Sequence, residues 1–288
     1  MMKVLVTGSS GLLGIKVIDE LSKNFDVIPS YSSKKLYKES IKMNVTSWNE
    51  IKKVFSKVRP DVVVHTAAIT NVDLCEVDKR KAWLINAIGT KNVAEACKEF
   101  DAKLVYISTD YIFDGRKGMY REEDKSNPIN YYGFTKLKGE EFVQKICSDW
   151  LILRTSTLYG AHPSKECFVT WVIKELKKEN EVRVVTNQFT SPTLTNDLAK
   201  IILILIKKDE KGIFHTAGNE RISRYNLAIK VSEIFDLNRS LIRPITAEKL
   251  EWKAKRPKDS SLDVTKISKI KKPLNIEKGL KILRGELT

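Results

Sequence analysis

Short runs of β-branched and aliphatic residues recur through the first two thirds of the chain. Each is followed by a longer stretch in which apolar positions return every three or four residues. The runs Lys3–Thr7, Val27–Ser30, Asp61–His65, Lys103–Ile107 and Trp150–Arg154 predict strands, and Lys79–Phe100 and Tyr131–Ile146 are long enough for crossover helices. Within the runs Val, Ile and Leu are continuous rather than alternating, which is the pattern of strands buried on both faces. Strand and helix alternating in this way predict an α/β fold with a doubly wound parallel sheet.

Beyond Arg154 the alternation loosens. Glu166–Lys178, Thr195–Lys207 and Ser223–Phe235 read as helices, Val182–Val185 and Ile213–His215 as strands, and the tail from Thr246 as basic and irregular. This half predicts a smaller C-terminal lobe built from segments inserted after the fifth and sixth strands.

The 288 residues, 42% of them hydrophobic, suffice for a sizeable core. No apolar run approaches the roughly 18 residues of a membrane span, and Met-Met-Lys leads straight into a strand, so a soluble cytoplasmic protein is expected. Cys75, Cys97, Cys147 and Cys167 are far apart with no Cys-x-x-Cys pair, which points to reduced thiols. His65, His162 and His215 are equally scattered and read as core histidines; no metal is expected. The net charge of +15 comes from lysines spread along the chain and mixed with acids, and no nucleic-acid module accompanies it.

Lys3-Val4-Leu5-Val6-Thr7-Gly8-Ser9-Ser10-Gly11-Leu12-Leu13-Gly14 is a strand, a glycine-rich turn and the opening of a helix. Gly8 permits the tight turn, Gly11 the approach of backbone amides to a pyrophosphate, and Gly14 close helix–sheet packing. The loop therefore predicts a dinucleotide site formed by Gly8, Ser10, Gly11, Leu12, Leu13 and Gly14. The second strand ends in Ser30-Tyr31-Ser32-Ser33-Lys34-Lys35 and lacks the carboxylate that ordinarily binds the ribose hydroxyls of NAD. Ser30, Ser32, Ser33 and Lys34, with Lys35, suit a 2′-phosphate instead, so NADP is favoured over NAD. A dinucleotide-binding domain over residues 1–160 and a mainly substrate-binding lobe over 161–288, interleaved with the core, are expected.

Tyr132 and Lys136 lie four apart in a predicted helix, hence on one face. An ammonium beside a phenol favours its ionised form and brings a group with an ordinary pKa of about 10 toward acid–base duty near neutrality. The hydroxyl of Thr109, at the end of a buried strand, can reach the same reacting oxygen.

Five stretches in order carry a family resemblance: Ser108-Thr109-Asp110-Tyr111-Ile112-Phe113-Asp114-Gly115, Tyr132-Gly133-Phe134-Thr135-Lys136, Arg154-Thr155-Ser156-Thr157-Leu158-Tyr159-Gly160, Gln188-Phe189-Thr190-Ser191-Pro192-Thr193 and Arg256-Pro257. Together they resemble the extended short-chain dehydrogenase/reductase superfamily, and within it the dTDP-4-dehydrorhamnose reductases. The resemblance implies a Rossmann-type fold and reduction of a nucleotide-linked keto sugar. It makes Thr109, Tyr132 and Lys136 catalytic, with Tyr132 and Lys136 also touching the cofactor. It adds Asn44, Ala67, Ala68 and Asn86 on the cofactor side, Asn86 through local hydrogen bonding. Asp110, Tyr111, Phe113, Phe168, Gln188 and Arg256 fall on the substrate side. Related dehydratases carry an acid where this chain has Tyr111, which favours the reductase.

The chain departs from the family pattern at Asn44 and Asn187, where acids are expected, at Thr190, where a glycine is expected, and in Lys165-Glu166-Cys167-Phe168. These changes bear on the substrate more than on the chemistry. Lys165, Arg221, Arg224 and Arg256 are the candidate cations for a dTDP diphosphate. A second implied reading is a cofactor-binding regulatory subunit resembling the β subunit of methionine adenosyltransferase. The partners in view are a nucleotide sugar, a second copy of the chain as a homodimer and, under the second reading, a synthetase; nucleic acid and membrane are not.

Overall fold

A computed structural model describes residues 1–288. Seven strands form one sheet: β1 (Lys3–Thr7), β2 (Asp26–Tyr31), β3 (Ile41–Lys42), β4 (Val62–His65), β5 (Lys103–Thr109), β6 (Trp150–Thr155) and β7 (Gly212–His215). Their spatial order is β7-β6-β5-β4-β1-β2-β3 and every pairing is parallel. All residues of β4 and β5 are buried, as their unbroken apolar runs require. The order reverses between β1 and β4, which opens a crevice above the carboxyl ends of the strands.

Helices α1 (Leu12–Leu21), α2 (Trp48–Val58), α3 (Gly89–Glu99) and α4 (Tyr131–Ile146) come from the first half of the chain. The second half supplies α5 (Phe168–Lys177), α6 (Thr195–Lys207), α7 (Arg224–Ile234) and α8 (Ile276–Leu287). Leu13, Val17 and Leu21 of α1 join Leu198, Ile202 and Leu205 of α6 in the core on one face of the sheet. Ile51, Val54 and Phe55 of α2, Val93 of α3 and Val143 of α4 fill the other. Because α6 and β7 belong to the sheet assembly, the two halves interleave. A third core gathers Val172 of α5, Val231 of α7 and Leu280 of α8 around the parallel pair Val182–Val185 and Ile242–Ile245. This is the smaller C-terminal lobe. No helix is long and apolar enough to cross a membrane.

Two stretches differ from the sequence expectation. Lys79–Phe100 is not one α-helix: Lys79–Ala82 passes through a π-helical turn, Trp83–Ile88, before α3 begins. The turn holds Asn86 inward, where its amide bonds the Ile69 N–H at 2.8 Å and the Ile69 carbonyl at 3.0 Å. The tail is also not irregular throughout. Asn275 caps α8 by accepting from the Lys278 N–H at 2.9 Å, and Ile276, Leu280 and Leu283 form a buried stripe.

Candidate active site

The phosphate-type loop forms as the glycines dictate. Gly8 has φ +67°, a left-handed conformation that favours glycine, and a Cβ on Gly14 would stand 2.3 Å from the Gly8 carbonyl oxygen. Gly11 caps α1 with no side chain to satisfy the first-turn amides. Its own N–H is engaged by the Gly8 carbonyl at 2.9 Å, so the approachable donors are those of the following turn. The buried hydroxyls of Ser9 and Ser30 beside this loop have no hydrogen-bond partner. These features fit a dinucleotide phosphate group.

Tyr132 is presented by the first turn of α4. Asn130 caps that helix by accepting from the Gly133 N–H at 2.9 Å, and a Cβ on Gly133 would lie 2.0 Å from the Tyr111 carbonyl oxygen. Only glycine lets α4 approach the Asp110–Ile112 turn so closely. The rings of Tyr111 and Tyr132 meet edge to face, 6.0 Å apart. Thr109 ends β5 beside them, paired in register with Thr155 of β6. Its hydroxyl donates to Asp110 Oδ1 at 3.0 Å and accepts from the Tyr111 N–H at 3.2 Å.

Electrostatics here differ from the expectation that Lys136 lowers the phenol. Burial pushes Tyr132 well above its ordinary value, with the Thr109 hydroxyl pulling the other way. Lys136 is itself buried, and desolvation brings it down to about 7 against the opposing charge of Glu140. Burial thus disfavours the charged form of both groups, and desolvation rather than the neighbouring ammonium sets the Tyr132 shift. Lys136 Nζ donates to the Ile107 carbonyl at 2.7 Å and lies 4.1 Å from the centre of the Tyr106 ring.

A cleft of about 460 Å³ joins these groups. It is lined by Gly11, Leu12, Leu13 and Gly14 of the loop, by Ala68, Thr109, Asp110, Tyr111, Tyr132 and Lys136, and by Phe168 and Arg224 of the smaller lobe. Thr155 and Thr157 of the Arg154–Gly160 stretch and Cys167 also line it, as does Thr66, which carries no motif signal in the sequence. A hollow of about 550 Å³ around Arg221, Asn226 and Lys230 lies apart from the five motif stretches, and Arg221, a candidate cation in the sequence, pairs there with Asp259 at 2.6 Å.

Several residues singled out in the sequence are engaged elsewhere. Phe113 is fully buried, stacked on Tyr120 at 4.3 Å, and belongs to the core. Arg256 pairs with Asp73 at 2.8 Å and ties the C-terminal segment to the short helix Val72–Val77. Asn44 accepts from the N–H and hydroxyl of Thr46, both at 3.0 Å, in a local turn. Asn86 reaches the Thr135 hydroxyl at 3.2 Å and so braces α4 from behind. Gln188 is buried with its amide 3.4 Å from the Tyr111 hydroxyl. Asp110, whose carboxyl burial holds above its ordinary value, accepts from Ser156 at 2.6 Å and Ser260 at 2.5 Å. It thereby joins the end of β5 to the C-terminal segment.

Ala67 lies under the loop: its N–H donates to the Thr7 hydroxyl at 3.2 Å, and its backbone is 2.8 Å from the Cβ position of Gly8. The Ser10 carbonyl faces His162, while Ser32, Ser33 and Lys34 are exposed past the end of β2. Arg224 is the cation best placed in the cleft. Its guanidinium stands 5.0 Å from the Phe168 ring, makes no ion pair, and has a buried Nε without a partner. His65 and His215 are core residues, held neutral by burial down to about 3.

The chain is 36% identical to the spore coat polysaccharide biosynthesis protein SpsK of Bacillus subtilis over 264 residues, covering 91% of this chain and 89% of that one. It is 31% identical to methionine adenosyltransferase 2 subunit beta of Xenopus tropicalis over 275 residues, 93% of this chain and 82% of that one. Among solved structures, the dTDP-4-dehydrorhamnose reductase of Bacillus anthracis in complex with NADP has a TM-score of 0.92 at 33% identity, covering 99% of this chain and 100% of that one. The model of the RmlD substrate binding domain matches residues 2–283, a span that includes the strand ending in Thr109, the helix that carries Tyr132 and most of the smaller lobe. Matched by that model along nearly its whole length, the chain belongs to the RmlD substrate binding domain family.

Proposed function

We propose that this chain is an NADPH-dependent reductase of a nucleotide-linked 4-keto sugar, most simply the dTDP-4-dehydrorhamnose reductase reaction. The observation that carries the reading is the convergence of Thr109 and a protonated Tyr132 on a cleft that runs without interruption into the glycine-rich loop.

Gly8, Gly11 and Gly14 would hold the dinucleotide phosphates against the start of α1, and Ser32, Ser33 and Lys34 the 2′-phosphate end. When bound, the reduced nicotinamide supplies the hydride. The chain's own residues do the rest. Tyr132, kept protonated by burial, donates its proton to the sugar oxygen as charge develops there, because an alkoxide is a stronger base than a phenolate. Thr109, still accepting from the Tyr111 N–H, turns its one hydroxyl proton from Asp110 Oδ1 to the same oxygen and fixes its position. Lys136, when charged, adds positive potential along the same face of α4. Arg224, rather than Arg256, serves the substrate diphosphate, since it lines the cleft without a carboxylate partner.

A dinucleotide-binding regulatory subunit is the second reading, favoured by the match to methionine adenosyltransferase 2 subunit beta. Thr109, Tyr132 and Lys136 in one cleft argue for turnover instead. The test is NADPH oxidation with dTDP-4-dehydro-6-deoxy-L-mannose, run beside NADH. Turnover with NADPH exceeding that with NADH supports the reductase. Tight NADPH binding with no turnover, together with retention of a methionine adenosyltransferase on the immobilised protein, supports the subunit.

A further inference from the structure

Residues 161–167 lead from the end of β6 into α5 of the smaller lobe and on the way touch the glycine-rich loop. His162 fastens them there. Its Nδ1 accepts from the N–H groups of Ser164 at 3.0 Å and Lys165 at 2.8 Å, which leaves the ring proton on Nε2, 3.2 Å from the Ser10 carbonyl. One face of the ring thus shapes the segment, while the other hydrogen-bonds the loop. Lys165 is carried with it, and its Nζ lies 3.9 Å from the point a Cβ on Gly11 would occupy. Lys34, past the end of β2, donates to the Ser164 hydroxyl of the same segment at 2.7 Å.

Neither lysine has a carboxylate within ion-pair distance. Glu166, the acid next to Lys165, pairs with Lys174 at 3.0 Å. The two cations feel each other: Lys165 is lowered first by partial withdrawal from water and then by the charge of Lys34. Like charges gathered without a counter-ion are unfavourable, and an anion between them reverses the sign of that interaction. Lys165 stands beside the uncapped start of α1, where backbone amides already favour negative charge.

We propose that segment 161–167 is a phosphate clamp supplied by the smaller lobe. Lys165 binds the dinucleotide pyrophosphate, Lys34 binds the 2′-phosphate, and His162 positions Lys165. The proposal rests on the reading that this chain binds a nicotinamide dinucleotide. It assigns Lys165 to the cofactor rather than to the sugar-nucleotide diphosphate, and it makes cofactor binding draw the two lobes together.

The test is equilibrium binding of NADPH, NADH and dTDP, each alone, to the wild-type chain and to Lys165→Met, Lys165→Arg, Lys34→Met and His162→Phe. Lys165→Met should weaken NADPH and NADH alike by about tenfold, leave dTDP unchanged, and be largely rescued in Lys165→Arg, in keeping with a lost charge-assisted contact. Lys34→Met should weaken NADPH alone. His162→Phe should reproduce Lys165→Met, and the double variant should bind no more weakly than either single one, as expected of a residue acting through another. Loss of dTDP affinity with dinucleotide affinity intact in Lys165→Met would overturn the assignment, as would no change in any ligand. A wild-type chain that binds neither dinucleotide would overturn the reductase reading itself; one that binds both while Lys165→Met binds equally well would overturn the clamp alone.

Discussion

The ammonium of Lys136 donates to the carbonyl oxygen of Ile107 at 2.7 Å, two residues before Thr109 on the same strand. The contact fixes Lys136 in the floor of the site, and burial there brings its pKa down to about 7. Two pH trends of opposite sign follow. In the free enzyme the ammonium is lost as pH rises through about 7, so kcat/KM should fall over that range. Stability moves the other way: above about 7 the unfolded chain, whose lysine titrates near 10.5, binds the extra proton, so this group favours the fold more as pH rises. In Lys136→Met the kcat/KM limb near 7 should disappear, and wild type should gain stability relative to the variant as pH rises between about 7 and 9. Urea melts and initial rates across that range measure both.

Gly133 tests how the tyrosine is placed. Gly133→Ala puts a Cβ 2.0 Å from the Tyr111 carbonyl oxygen and should cost about 1–3 kcal/mol, with loss of turnover as Tyr132 shifts. Gly285→Ala, in α8 with nothing within 4 Å of the new Cβ, should instead stabilise by up to about 1 kcal/mol. Equal effects in urea denaturation would remove the close contact from the explanation.

The parallel sheet, the glycine-rich loop and α4 are legible because each rests on a local rule: unbroken apolar runs for β4 and β5, helical spacing for Tyr132 and Lys136, glycine spacing for the turn. What the sequence hides depends on who meets whom. Nothing local to Arg256 reveals that Asp73, far away in the chain, takes its guanidinium, or that Phe113 faces the core rather than the cleft. The direction of the Tyr132 shift is hidden for the same reason. The Tyr-x-x-x-Lys spacing places a charge nearby, but burial of both groups decides which of them remains ionised. The α8 stripe of Ile276, Leu280 and Leu283 was readable, but the surrounding lysines obscure it.

Arg224 and Arg256 should separate cleanly. Arg224→Ala removes an unpaired cation from the cleft wall and should raise the Kd for dTDP by about tenfold or more, the range for a hydrogen bond to a charged group, with NADPH affinity unchanged. Arg256→Ala breaks the pair with Asp73 and should lower thermal stability while dTDP affinity changes less than in Arg224→Ala. Calorimetric titration and melting of both variants decide it. The reverse ranking for dTDP would return the substrate role to Arg256.

Tyr132→Phe bears most directly on the mechanism, because it keeps the ring and its edge-to-face contact with Tyr111 and removes only the proton. The measurement is single-turnover oxidation of NADPH by the keto sugar, with the Kd for NADPH determined on the same preparation. Retained NADPH affinity with a rate at least about a hundredfold below wild type is the expected result, the lower range for loss of a general acid. A rate within a few-fold of wild type would contradict the assignment of Tyr132 as the proton donor.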